Sequence, residues 1–281
     1  MTGTLYIVSC PIGNTDDITL RAISVLKTVD VIAAEDTRHT RRLMAAHQVE
    51  GADRLVSCHE HNEAGRIPGF IDMLSQGRSI ALVTDAGTPS VSDPGFSLVR
   101  EAAANHIAIV PVPGPSAAIT ALSASGMPTD AFMFAGFVPK KQGRRHERLA
   151  MLAANSATLL FYESPRRVMA LLAAIFEVMG DRQAVLCREM TKPYEEFIRG
   201  SVSQILEGLE GRDALKGEVT LVVAGAAGGA APALPVADLK KAVEAANCGS
   251  SELAKILAAV TGLPRRRLYE DILSVKNKKE S

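Results

Sequence analysis

The apolar run SIALVT at 79–84 empties directly into DAGTPSVSDPG at 85–95, and this junction constrains the fold more than any other stretch of the chain. About six consecutive β-branched and apolar residues ending at turn chemistry predict a central parallel strand buried on both faces. The loop that follows opens at the strand's carboxyl end, which is where ligands bind in open α/β sheets. Gly87, Pro89, Pro94 and Gly95 stiffen it while letting a ligand approach the backbone. Connections in α/β units usually run about 2 to 6 residues, so the greater length here favours a site over a plain pair of turns.

Around that strand, apolar runs alternate with helical periodicity. Strands are predicted at 5–9, 31–34, 80–84 and 107–112, and helices from 20, through 41–46 and around 98–104. Such alternation implies a parallel-rich sheet with helices on its faces. PVPGPS at 111–116 closes the set and opens an alanine-rich helix from Ala117, which divides a first α/β domain, 1–114, from a second, 115–225. The second has strands at 132–137, 157–162, 184–188, 197–200 and 219–224, with helical periodicity around 148–153 and 168–179, a pattern that suits a mixed sheet. GAAGGAAPALP at 225–235 marks a linker, 226–235, and is no dinucleotide fingerprint because no periodic helix starts there. The remainder, 236–281, reads as helices at 236–246, 250–260 and 265–273, with TGLP at 261–264 between the last two. A helix, a turn with Gly and a helix opening on Pro and three arginines outlines a helix-turn-helix or a plain helical hairpin.

Charge and cysteines limit the partners. Lys plus Arg equals Asp plus Glu at 31 each, so a polyanion must be met by local patches rather than an overall field. Cys10, Cys58, Cys187 and Cys248 show no CxxC spacing, and the N-terminus lacks a basic region leading into a long apolar stretch. Apolar runs stay well below the ~18 residues of a membrane span. The expectation is a cytoplasmic protein without a membrane partner.

Four further stretches carry chemistry. CPIGNTDDIT at 10–19 follows the first strand, so its Gly/Pro turn and the loop at 85–95 would form two walls of one cleft, although helix capping alone also accounts for it. AEDTRHT at 34–40 sets Glu35, Asp36, Arg38 and His39 at the end of the second strand as acid, base or substrate clamp, or as cap and ion pair. In CHEHNE at 58–63, an extended backbone puts His59 and His61 on one face and Cys58 and Glu60 on the other, which suits a polar wall better than a metal. VPKKQGRRHER at 138–148 is either a solvated helix start or a mobile basic flap for phosphates, with Lys140, Lys141, Arg144, Arg145 and Arg148, and YESPRR at 162–167 adds Arg166 and Arg167.

In order, LYIVSCPIGNTDDITLRA, AEDTRHT, HEHNE, LVTDAGTPSVSDPG, PVPGPSAAITAL, GFVPKKQGRR, FYESPRR and REMTK resemble the bacterial small-subunit ribosomal RNA ribose-2′-O methyltransferase I family, a branch of the tetrapyrrole methylases. The match spans about 5–224, and the tail resembles that family's helix-turn-helix. The resemblance implies a two-domain, class III methyltransferase α/β fold with a small C-terminal helical domain. It also implies a homodimer and S-adenosylmethionine bound between the two α/β domains. Pro11 and Ile12 then fall in the first cofactor loop, Asp85, Ala86, Gly87 and Thr88 in the main one beside Val91, Ser116 and Ala117 at the helix start, and Tyr162 and Glu163 in the second domain. The main loop would meet the cofactor through its backbone, with a Cβ at Gly87 crowding that approach. Pro11-Ile12-Gly13-Asn14 stands where the tetrapyrrole enzymes have G-P-G-D, which supports the RNA branch.

The implied reaction is 2′-O methylation of a decoding-centre cytidine in 16S ribosomal RNA within the small ribosomal subunit. Glu35, Asp36 and His61 are the candidate bases, with no metal, and Arg38, Lys140, Lys141, Arg144, Arg145, Arg166, Arg265, Arg266 and Arg267 the RNA contacts. Two rivals share parts of the pattern: a methyltransferase for a corrin or sirohaem precursor, and a non-catalytic ligand-sensing regulator that binds nucleic acid through its tail.

Overall fold

The computed structural model describes residues 2–212, 215–226, 242–243, 246, 248–261, 265, 268–269, 272–273 and 275. The chain divides into two compact units, Met1–Gly225 and Ala226–Ser281. In the first unit, β1 (Thr4–Val8), β2 (Val31–Ala34), β3 (Leu55–Ser57), β4 (Ile80–Val83) and β5 (Ala108–Val112) form a parallel sheet in the order β3-β2-β4-β1-β5. Helices α1 (Leu20–Thr28), α2 (Thr37–Ala46), α3 (Glu63–Ser75) and α4 (Phe96–Ala104) connect the strands.

Strands β2 and β4 are buried at every position, and alternation of side chains explains why. Ile32, Ala34, Ala81 and Val83 join Leu26, Leu43 and Met44 of α1 and α2 in one core. Val31, Ala33, Ile80 and Leu82 join Phe70, Leu74, Leu98 and Ala102 of α3 and α4 in another. Helices on both faces leave no polar side, hence the unbroken apolar runs. The carboxyl ends of the parallel strands gather at one edge, and the loops after β1, β2 and β4 open there.

The second sheet contains β6 (Phe132–Phe137), β7 (Thr158–Glu163), β8 (Gln183–Arg188), β9 (Glu196–Ser201) and β10 (Val219–Val223) in the order β6-β7-β10-β8-β9. Only β6 and β7 pair in parallel, so this is the mixed sheet expected. Between the sheets runs α5 (Ala117–Ser125), and α6 (Gln142–Leu152), α7 (Val168–Met179) and α8 (Val202–Leu209) follow. Val219, Leu221 and Val223 of β10 pack with α6, α7 and α8. Val222 points to the other face, with Ala118, Ala121 and Leu122 of α5 and with Ile12 from the loop after β1. Ile12 therefore ties the first sheet's loop into the core of the second.

Residues 142–152 are helical, so Arg144 and Arg145 stand on an ordered helix start and not on the mobile flap expected. Leu149 and Leu152, buried among α7 and the second sheet, hold the helix down. Two elements lack a clear sequence signal: β3 is short and half-buried, and α3 contains Gly65, Pro68 and Gly69, yet Phe70 and Leu74 anchor it.

The second unit contributes α9 (Ser250–Thr261), whose Leu253 and Ala254 bury against Leu268, Ile272 and Val275. The last three share one face of a helical turn spacing. The linker at 227–235, most of 236–246, the turn at 262–264, Arg266 and Arg267 lie outside the described residues. Among the described residues no helix is long and apolar enough to cross a membrane.

Candidate functional site

Two loops at the carboxyl edge of the first sheet are stitched together. Cys10 N–H donates to the Gly87 carbonyl at 2.8 Å, and Gly87 N–H donates back to Cys10 at 3.1 Å. Gly87 has φ +79°, and a Cβ built there meets only Ile12 Cγ2 at 3.8 Å. Its amide is thus used within the protein rather than offered to a ligand, which corrects the expected role of this backbone group. Glycine supplies the left-handed conformation instead. Ser90 and Ser92 also take positive φ, 71° and 66°, uncommon for residues with a Cβ. Thr88 Oγ1 lies 3.0 Å from Ser9 Oγ and donates to the Pro115 carbonyl at 3.3 Å, so the loop is fixed to the turn before α5 as well.

These loops bound a cavity of about 350 Å³. Ile12 forms one wall, and Ala86, Gly87, Thr88 and Val91 a second. Ser116 and Ala117 at the start of α5 and Tyr162 and Glu163 at the end of β7 complete it. Ala118 N–H donates to the Tyr162 hydroxyl at 3.1 Å, and Phe134 and Phe137 meet the tyrosine ring edge-on, with centroids 4.8 and 5.7 Å away. The carboxylate of Glu163 turns inward: it accepts from Ser164 N–H at 2.7 Å and pairs with Arg167 at 3.0 Å.

Sequence reasoning missed Ser92, Asp93, Phe137 and the stretch 217–220, all on the cavity wall. Asp93 lies inside the loop already singled out, as a lone charge between turn residues, and that signal was available. The stretch 217–220 reaches the wall because Val219 pairs with Glu163 across an antiparallel ladder, which no local pattern announces. Burial pushes the Asp93 carboxyl up to about 7, with repulsion from Glu35, Asp85 and Glu218 adding to it.

A second cavity, of about 460 Å³, shares Ile12, Ala86 and Glu218 with the first. Pro11 and Asp85 open to this one, together with His39, Arg42 and Lys192. Glu35, Asp36 and His61 line neither cavity. Glu35 accepts from the Thr84 hydroxyl at 2.6 Å and from Asp85 N–H at 3.2 Å. Asp36 caps α2 through Arg38 N–H at 2.8 Å and holds the Arg38 guanidinium at 3.1 and 2.7 Å. Those Arg38 bonds keep the Asp36 carboxyl well below the usual carboxylate range, which makes it a weak base.

His59 to Glu63 form a turn, so the same-face geometry of an extended backbone does not apply: Asn62 Oδ1 accepts from His59 N–H at 2.8 Å, and Asn62 and Glu63 N–H both donate to the His59 carbonyl. The rings of His59 and His61 meet edge-on at 6.0 Å, with His61 exposed. Among the described residues no three His, Cys, Asp or Glu side chains gather as a metal requires. Lys140, Lys141 and Arg144 are exposed at the start of α6 with Arg145 half-buried, and Arg166 is exposed beyond β7. Arg265 in the second unit is exposed and donates to Ser251 Oγ at 2.9 Å.

Residues 4–206 match the family described as Tetrapyrrole (Corrin/Porphyrin) Methylases. A protein of Micromonospora olivasterospora named ribosomal RNA small subunit methyltransferase I is 43% identical over 96% of this chain and 86% of its own length. A Streptococcus pyogenes protein of the same name is 49% identical over 80% of this chain and 77% of its own. The solved uroporphyrin-III-C-methyltransferase of Thermus thermophilus superposes with a TM-score of 0.55 at 22% identity, over 78% of this chain and 94% of that one. A cobalt precorrin-4 methyltransferase of cobalamin biosynthesis gives 0.59 at 19%, over 79% and 94%. Those two likenesses show the fold. The match over residues 4–206 and the relatives at 43% and 49% identity, with the two-sheet architecture in agreement, place the chain in the tetrapyrrole methylase family and, within it, in the ribosomal RNA small subunit methyltransferase I family.

Proposed function

We propose that the chain transfers the methyl group of S-adenosylmethionine to a ribose 2′-hydroxyl of a decoding-centre cytidine in 16S ribosomal RNA. The observation that carries this reading is the 350 Å³ cavity whose walls are the stitched loops, the start of α5 and the end of β7. Its volume falls in the range of small-molecule sites, about 300 to 1,000 Å³. A half-buried carboxylate, Asp93, beside an aromatic edge, Phe137 and Tyr162, suits a ligand that is cationic at one end and aromatic at the other. When bound, S-adenosylmethionine supplies a methyl group on a positively charged sulfur. The chain's part is to hold and align: the Cys10–Gly87 bridge and the Thr88 bonds fix the loops, and a fixed approach line supplies much of the acceleration in a displacement.

The RNA substrate is supported by the names of relatives at 43% and 49% identity, whereas the tetrapyrrole-named neighbours stand at 19% and 22%. The exposed cations at the start of α6, with Arg166, give phosphates a patch that the neutral overall charge does not. Arg265, Arg266, Arg267 and Arg38 are the further contacts in this reading. The two sheets are taken as α/β domains 1–114 and 115–225, with 226–235 as linker. The family resemblance supports a homodimer, and a ribosomal substrate supports a cytoplasmic setting.

The test is transfer of labelled methyl groups to small ribosomal subunits, to free 16S RNA and to a tetrapyrrole precursor, followed by nucleoside analysis. The expected product is 2′-O-methylcytidine in ribosomal RNA; label on the tetrapyrrole alone overturns the reading. Changing Lys140, Lys141, Arg144 and Arg145 together to Ala is expected to weaken RNA binding. The log–log salt dependence should flatten by up to about 0.7 per lost single-strand contact. Cofactor affinity should stay unchanged, as none of the four lines the cavity.

A further inference from the structure

We infer that the second cavity seats the acceptor nucleotide, with Asp85 taking the proton of its 2′-hydroxyl and Arg42 and His39 holding the adjacent phosphate. The inference rests on the methyl-transfer reading and extends it to where the acceptor lies and which group deprotonates it. Reacting atoms must come within about 3 to 3.5 Å, so an acceptor has to sit against the cofactor's cavity. The 460 Å³ cavity does so, sharing Ile12, Ala86 and Glu218 with it.

The cations around this cavity are not equivalent. Lys192 is held by Glu189 at 2.9 Å and Glu218 at 3.2 Å, and the nearby Arg38 is held by Asp36. The Arg42 side chain makes no hydrogen bond or ion pair among the described residues, yet lines the cavity three residues after His39 on the same face of α2. A guanidinium without an internal partner is suited to grip a phosphate with two parallel N–H bonds.

Two carboxylates line this cavity: Glu218, on the shared wall, is held by Lys192 at 3.2 Å, whereas Asp85 stands next to the shared Ala86 without a cation of its own. Asp85 Oδ1 accepts from Asp36 N–H at 3.1 Å. Oδ2 has no hydrogen bond among the described residues and remains available. The charged and titratable groups facing it are Glu35 and Asp36 at the end of β2, Arg38 and His39 on α2, Cys10 after β1 and Asp93 in its own loop. Burial, then repulsion from Glu35, pushes the Asp85 carboxyl above its ordinary value, which makes it a better base than the Arg38-bound Asp36. In the step, the 2′-oxygen gives its proton to Asp85 and uses a lone pair to bond the methyl carbon. That carbon's bond to sulfur breaks with both electrons left on sulfur. The proton then passes to solvent, restoring the carboxylate.

The experiment pairs Asp85→Asn with Arg42→Gln in the full chain. Calorimetry with S-adenosylhomocysteine should give both variants wild-type affinity within about twofold, which also reports that the loops are intact. Asp85→Asn is expected to lower kcat on small ribosomal subunits by about 10² to 10³ while leaving KM near wild type. It should also remove the rising acid limb of the pH profile. Arg42→Gln is expected to raise KM and to weaken binding of a short single-stranded cytidine oligonucleotide about tenfold, measured without cofactor. Wild-type kcat and pH profile in Asp85→Asn overturn the base assignment, and loss of S-adenosylhomocysteine binding there returns Asp85 to the cofactor site. Unchanged oligonucleotide affinity in Arg42→Gln overturns the phosphate clamp. A wild-type protein that methylates no ribosomal RNA overturns the function reading itself, before any variant is compared.

Discussion

Asp93→Asn is expected to weaken S-adenosylmethionine binding by roughly tenfold or more at pH 8, and at the same pH to raise the thermal stability of the ligand-free protein. Both effects have one origin. The Asp93 carboxyl is pushed up to about 7 by burial and by its acidic neighbours, so its charge is a burden on the free fold and an asset once a cation arrives. A hydrogen bond or contact to a charged group is worth about 1.5 to 3 kcal/mol, hence the tenfold figure. The sign of the stability change follows from linkage. In the unfolded chain this carboxyl loses its proton near the ordinary aspartate value of 3.8, while in the fold it keeps it until about 7. Between those values the folded state binds more protons, so stability falls as pH rises through this window and stays reduced above it. Asparagine removes that loss. The wild type should also bind the cation more tightly as pH rises towards 7, and the variant should not. Calorimetry at pH 6 and pH 8 with thermal unfolding at both values checks all of this, and equal affinities at pH 8 would remove Asp93 from the site.

Arg167→Leu is expected to destabilise the fold by about 3 kcal/mol, because it leaves a buried carboxylate without its partner. The Glu163 side chain is 1% exposed, and its two oxygens meet only Ser164 N–H and the Arg167 guanidinium. Arg167 is 25% exposed and also donates to the Val138 carbonyl at 3.1 Å, which binds β7 to the end of β6. Replacing Glu163 and Arg167 together by Leu should recover most of the loss, since no unpaired charge then remains. Urea unfolding of the single and double variants measures this. A loss under about 1 kcal/mol in the single variant would mean that water reaches Glu163.

Where the sequence was legible, the cause was local repetition with a physical period. The runs that became β2 and β4 had to be central, because apolar side chains on both faces need helices on both sides. That Ile12, Ala86, Gly87, Thr88 and Val91 border one cavity followed from strand ends at one edge together with the family resemblance. What stayed hidden depends on long-range pairing. Glu218 and Val219 reach the cavity only because β10 inserts between β7 and β8, and Asp85 borders the second cavity while Gly87 borders the first, a division that the loop's turn residues do not announce. Helix α8 was within reach, since Ser201 and Gln204 form a capping box of readable spacing. Helix α3 was not, as Pro68 and two glycines mask a helix held by Phe70 and Leu74. The relative placement of His59 and His61 was not legible, because Asn62 bends the chain there.

The central claim is that the cavity between the stitched loops and β7 holds the methyl donor, and a crystal structure of the chain with S-adenosylhomocysteine tests it most directly. The account predicts density against Ile12, Gly87, Asp93, Ala117 and Tyr162, with the Cys10–Gly87 bridge unbroken and the sulfur turned to the wall shared with the second cavity. Density for the ligand beside His39 and Arg42 instead, or at neither cavity, would contradict it.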